Sequence, residues 1–278
     1  MLDAPLKRQS RGFDPHLEHF LRISYIHRKC SSKRVIYLNI YMEGCILLFG
    51  ESFRLGGQRS RNRGSDESYA DQMKAAESQM AFIENLKSKN VNVKVYISSY
   101  ETKFNNDLLG MYKDVLIGHD FYENVMGQGN LIHNAINKIP VDKYDFLLIM
   151  RIDLFLKSKF TEIFDQGWDK IMWVSACFKP HHKCGIHPRV NDMMVFIPRK
   201  YYRYLKHLYY TEWVSEGHDQ WKHFIENTDL TTACLDTMLN TFHDSDSAKD
   251  WNPIYRVVNR SESNIHHDAG DVFNKWTI

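Results

Sequence analysis

Apolar positions along the chain follow two rhythms. Short runs that are nearly unbroken or alternate, at 35–41, 45–49, 91–98, 114–117, 145–152, 170–176 and 191–198, predict strands, several of them buried on both faces. Between them, spacings of three and four predict helices. Met73, Ala76, Met80, Ile83 and Leu86 line one face of a helix over 70–89 that Asn90 closes, and Leu131, Ile132, Ala135 and Ile136 line another over 129–139 that Pro140 ends. Further helical stretches are expected at 199–210 and 230–242, while 100–123 reads mainly as loop and the segment from His243 as a polar tail. Met42-Glu43-Gly44 reads as a turn between the first two strands.

The order strand, glycine-bearing basic loop, helix, strand is a βαβ unit. Repeated, it predicts an α/β fold of Rossmann type: a mixed, mainly parallel central sheet flanked by helices. Residues 1–34, rich in Arg, Lys, His and Ser, read as a basic N-terminal extension, and 35–278 as a single domain.

Within this frame the run Tyr144-Asp145-Phe146-Leu147-Leu148-Ile149-Met150 stops at Arg151 and Asp153. A strand there would bring both charges to its carboxyl end, where open α/β sheets bind ligands, with a cation and an anion in one small site. A nucleotide diphosphate and a metal ion would find both partners. A buried structural ion pair would serve the same residues equally well. The loop after the 45–49 strand, Gly50 to Gly57 followed by Arg59, Arg61 and Arg63, offers backbone amides and guanidinium groups to an anion, but has neither Walker nor dinucleotide spacing.

Net charge of +2 over 278 residues supplies no field for nucleic acid. No apolar run reaches the roughly 18 residues of a membrane span, and the polar first fourteen residues do not read as a secretory signal, so a cytoplasmic protein is expected. Five scattered cysteines fit free thiols in a reducing compartment, and Cys177 with Cys184 lacks zinc-knuckle spacing.

Taken together, Gly50-x-x-x-Arg54 after a strand, a strand ending in Ser98-Ser99, Tyr144-Asp145-Phe146 leading to Arg151-x-Asp153-Leu154-Phe155, and Asn191-Asp192-x-x-x-Phe196 resemble the GT-A-like glycosyltransferases of surface polysaccharide and viral glycan synthesis. The wording Phe49-Gly50-Glu51-Ser52-Phe53-Arg54 and the chain length are most similar to chlorovirus xylosyltransferases acting on capsid N-glycans. The resemblance covers about residues 44–215. It implies a UDP-sugar donor, UDP-xylose above all, and an oligosaccharide or glycoprotein acceptor such as fucose of an N-glycan. It also implies donor contacts at Gly50, Ser52, Arg54, Arg151 and Asp153. Arg151-x-Asp153 stands where most of these enzymes carry two aspartates that bind manganese, so dependence on manganese or magnesium stays open. Asp153, with His266 or His267, would be the metal ligands.

Transfer with inversion needs a carboxylate within reach of the acceptor hydroxyl. Asp71, taken as lying at a helix start, Asp192 and Asp219 are the candidates, unranked by sequence. Three readings follow: a nucleotide-sugar transferase, a non-catalytic carbohydrate- or nucleotide-sugar-binding module of transferase ancestry, and a polyanion binder using the N-terminal and loop cations. The balanced net charge weighs against the last.

Overall fold

Strand β1 (Met42–Phe49) is an apolar run with a paired strand on each of its two sides. The computed structural model describes residues 41–56, 62–164, 168–173, 193–207, 232–234 and 254–258. The chain divides into two units, Met1–Tyr41 and Met42–Ile278, and the elements below belong to the second. The expected basic extension at 1–34 and strand at 35–41 fall almost wholly outside the described residues.

After β1 come the two-residue strands β2 (Arg54–Leu55) and β3 (Asn62–Arg63), helix α1 (Asp66–Ser88), β4 (Val91–Tyr100), α2 (Asn105–Tyr112), β5 (Leu116–Tyr122) and α3 (Gln128–Ile136). Then follow β6 (Phe146–Arg151), β7 (Leu154–Leu156), α4 (Ser158–Phe164), β8 (Ile171–Trp173), β9 (Met194–Pro198), a 3-10 helix over Arg199–His207, β10 (Thr232–Cys234) and β11 (Tyr255–Val257). Seven strands form one sheet in the order β10-β8-β9-β6-β1-β4-β5. β6, β1, β4 and β5 are mutually parallel, and β9 runs against both β6 and β8. The sheet is therefore mixed and mainly parallel, the class expected.

Alternation along the central strands sorts the core into two layers. Ile46, Leu48, Phe146, Leu148 and Met150 point to the face covered by α1 and α2, where they meet Ala76, Phe82, Ile83, Leu86 and Leu108. Cys45, Leu47, Phe49, Leu147 and Ile149 point to the other face, covered by α3 through Ile132 and Ala135. Burial of this kind pushes the Cys45 thiol far above its ordinary pKa, which makes it an inert core side chain.

Several expectations need correction. Met42–Gly44 is strand, not turn, because Gly44 lies in register with Phe146 and leaves room for its ring. Helix α1 begins at Asp66 behind Ser65, four residues earlier than expected, with Asp66 and Glu67 in its first turn. Asn90 closes it as expected, in the left-handed region at φ 63°. The segment read mainly as loop, 100–123, contains helix α2, and the strand expected at 114–117 is the longer β5, Leu116–Tyr122. Residues 232–234, expected helical, pair with β8 as a strand, and Tyr255–Val257, expected in a polar tail, pairs antiparallel with β7. Arg199–His207 is helical but of the 3-10 type.

Candidate functional site

The sheet changes direction of growth at β1. The chain passes from β1 through α1 to β4 on one side, and returns through α3, on the opposite face, to β6 on the other. A crevice at such a switch point, outside the carboxyl ends of the strands, is where α/β sheets take ligands. At this switch point the borders of such a crevice would be Gly50 to Arg54 after β1 and Arg151 to Leu154 after β6, with Phe49 in register with Arg151 and with Ser98.

The first border is held by short-range chemistry. Gly50 donates its N–H to the Ser98 carbonyl at 3.1 Å, and its own carbonyl accepts the Ser99 hydroxyl at 2.7 Å. The Ser52 hydroxyl lies 3.0 Å from that of Ser99, and the Ser52 N–H also reaches it at 3.3 Å. Ser98 in turn donates to the Leu131 carbonyl, so α3 is tied to the same strand end. Gly50 has φ +113°, a conformation that side chains disfavour, and no atom of the described residues lies within 4 Å of where a Cβ would stand. Among the described residues, nothing covers the backbone at the carboxyl end of β1 on this side. Arg54 Nη1 donates to Glu51 Oε2 at 2.7 Å and Nε to the Gly56 carbonyl, closing the loop on itself as a buried ion pair. The sequence reading missed Glu51 as this partner.

At the second border Arg151 and Asp153 meet. Nε of Arg151 donates to Asp153 Oδ1 at 2.8 Å and Nη2 donates to Oδ2, a two-pronged contact between planar groups. Expected open to a ligand, the pair is instead covered: Arg151 is 5% exposed and Asp153 3%. Both carboxylate oxygens face the guanidinium, as in the structural ion pair considered from sequence. The turn's backbone is equally tied down. Arg151 N–H donates to Met193, Ile152 N–H to Phe49, and the Asp153 carbonyl accepts the Val258 N–H, each within 3 Å.

The remaining expected residues separate. Asp71 is in the second turn of α1 rather than at its start, is part-exposed, and lies 3.9 Å from Lys74. No described contact joins it to either border. Asp192, Asp219, His266 and His267 lie outside the described residues. Among the described residues no three His, Cys, Asp or Glu side chains converge as metal ligands. With Asp153 engaged on both oxygens, the described residues do not form a metal shell.

Two residues at the site carry no sequence signal of the usual kind. Gln72 and Gln79, both buried on α1, send their amides to the carbonyls of Ile152 and Leu154. By spacing alone, Met73 and Met80 belong to the inward face. These are only partly buried, and the inward stripe passes through the glutamines one position earlier. Two glutamines seven apart beside a row of alanines is the trace that was available.

No family model and no curated protein matches this chain. Among solved structures, it is similar to the catalytic domain of β1,4-galactosyltransferase 7 from Drosophila in complex with xylobiose, at 10% identity and TM-score 0.43, over 78% of this chain and 71% of that one. A Desulfovibrio desulfuricans protein assigned as a nucleotide-diphospho-sugar transferase gives 11% identity and TM-score 0.46, covering 71% and 79%. A Pyrobaculum calidifontis mannosyltransferase in complex with GDP-mannose and Mn2+ gives 8% and 0.44, covering 70% and 55%. At these values the likenesses carry no functional weight, and the case for function rests on the chain's own residues.

Proposed function

We propose that this protein transfers a sugar from a nucleotide-sugar, UDP-xylose by preference, to a glycan acceptor, fucose of a viral capsid N-glycan by preference. The observation that carries the reading is the placement of an arginine–aspartate turn beside Gly50, whose Cβ position is clear of the described residues, at the carboxyl ends of adjacent parallel strands on either side of the switch point. A diphosphate leaving group needs positive charge that is already oriented when the bond breaks. Arg151, in a turn whose backbone is hydrogen-bonded at each residue from 151 to 154, and Arg54 on the opposite border are the guanidiniums placed for that need, and each would exchange its carboxylate partner, Asp153 or Glu51, for the diphosphate. The choice of UDP, xylose and fucose rests on the resemblance of the Phe49–Arg54 and Arg151–Phe155 wording alone.

Of the three carboxylates, Asp192 has the most support as the base that takes the acceptor proton. Its chain neighbour Met193 accepts the Arg151 N–H at 2.9 Å, whereas Asp71 is committed to the solvent side of α1. The burial of Arg151 and Asp153 against each other favours a second reading, a binding module of transferase ancestry that holds a nucleotide-sugar or a glycan without turnover.

Differential scanning fluorimetry with UDP, a panel of UDP-sugars and GDP-mannose, each with and without manganese, tests the donor site. A donor present at a hundred times its Kd adds about 2.7 kcal/mol to stability, a readily measured rise in Tm. Donor and fucosylated acceptor together should then release free UDP. Stabilisation without release supports the binding module, and a flat response to every nucleotide removes the donor site.

A further inference from the structure

The two borders of the crevice come from parts of the chain a hundred residues apart, and one buried side chain touches both. Gln72, fully buried on α1, accepts the Phe53 N–H on Oε1 at 3.3 Å and donates through Nε2 to the Ile152 carbonyl at 2.9 Å. Phe53 is the non-glycine residue at φ 49° in the loop after β1, a conformation that persists only where its surroundings hold it. Seven residues on, at the next position of the same stripe, Gln79 donates to the Ile152 carbonyl at 3.2 Å and to Leu154 at 2.7 Å, while its Oε1 accepts the Tyr112 hydroxyl from α2. The carbonyls of the residues on either side of Asp153 are therefore gripped from behind by two neutral amides, and each amide is oriented by what its oxygen accepts.

The amides answer buried polar groups. An apolar side chain at 72 would take a partner from the Phe53 N–H and the Ile152 carbonyl, and one at 79 would take a partner from the Ile152 and Leu154 carbonyls and the Tyr112 hydroxyl. What the amides add is fixed geometry at the one turn where the cation and the carboxylate lie. We infer that Gln72 and Gln79 are positioning residues for the nucleotide site, and that Gln72 sets the spacing between the loop after β1 and the Arg151–Asp153 turn. The inference rests on the nucleotide-sugar reading above and deepens it: the diphosphate is gripped by two borders whose separation one glutamine determines.

The test compares Gln72→Met with Ser78→Ala in the full chain. Methionine keeps the volume and loses both hydrogen bonds. Ser78 lies on the same helix and accepts the Leu156 N–H at 2.9 Å, so its loss removes a tie between α1 and β7 that is away from the turn. UDP binding is titrated calorimetrically with manganese in excess, and Tm is measured alongside. Gln72→Met is expected to weaken UDP binding about 10- to 100-fold, the usual penalty for losing an outer support of a site. Ser78→Ala is expected to leave it unchanged at a comparable loss of Tm. Gln72→Glu, which keeps an acceptor for the Phe53 N–H but sets a buried carboxylate against the Ile152 carbonyl, should weaken UDP binding at least as much as Gln72→Met. Equal UDP affinity in wild type and Gln72→Met overturns the inference and leaves the donor site standing. Failure of both Gln72 variants to fold overturns it as well, since the role would then be stability. A wild-type protein that does not bind UDP removes the donor reading and the inference together.

Discussion

Asp153→Ala is expected to lower folding stability by about 3–5 kcal/mol, because it leaves the Arg151 guanidinium buried without the carboxylate that faces it. For a domain of this size that is a fall in Tm on the order of 10 °C. Turnover should vanish with it, but the loss of turnover by itself would say little, since a destabilised turn fails for either reason. The informative variant is Arg151→Met with Asp153→Leu together. Replacing a buried ion pair by apolar side chains is often neutral or stabilising, so the double variant should recover Tm and the native circular dichroism yet neither bind nor turn over a nucleotide-sugar. If the double variant retains full UDP binding, the pair is scaffolding and the donor lies elsewhere. If Asp153→Ala leaves Tm unchanged, the covered pair does not contribute what its geometry promises.

Gly44→Ala is expected to be the most damaging single methyl in the sheet, costing about 3 kcal/mol of folding stability. A Cβ there would stand 2.1 Å from Cζ of Phe146 and 2.5 and 2.7 Å from its two Cε atoms. The ring cannot retreat. It packs against Trp168 and Phe196 at centroid distances of 5.2 Å, and its own strand is buried on both sides. Since β1 and β6 carry the two borders of the crevice, any separation of these strands to admit the methyl moves the borders apart. Gly110→Ala is the matched control. It lies exposed in α2 with nothing within 4 Å of its Cβ position, and alanine there should stabilise the helix by about 0.5–1 kcal/mol. Chemical denaturation of both variants against wild type checks the pair, and equal stability for the two would show that Phe146 does not occupy the space over Gly44.

What could be read from the residues alone was what periodicity and end signals carry. Apolar runs announced β1, β4, β6 and β9, a 3.6-residue stripe announced α1 and α3, and their alternation announced an α/β sheet with Arg151 and Asp153 at a strand's carboxyl end. Each of these is decided locally, by side chains that must be buried whatever their neighbours turn out to be. What stayed hidden depended on partners distant in the chain. Gly44 looks like a turn residue until Phe146 comes alongside, Glu51 like a loop acid until Arg54 folds back on it, and the short β10 and β11 have no pattern before β8 and β7 offer edges to pair with. Gln72 and Gln79 look like solvent-facing helix residues, because a polar side chain is read as exposed unless something buried is known to need it. The carbonyls of Ile152 and Leu154 are that need, and they lie some eighty residues away. The sequence by itself thus determined that two charges would meet at the end of a central strand. Only the tertiary structure decided that they would be covered, bonded to each other and held in place from behind, since burial and hydrogen-bond partnership belong to pairs of segments and not to either one.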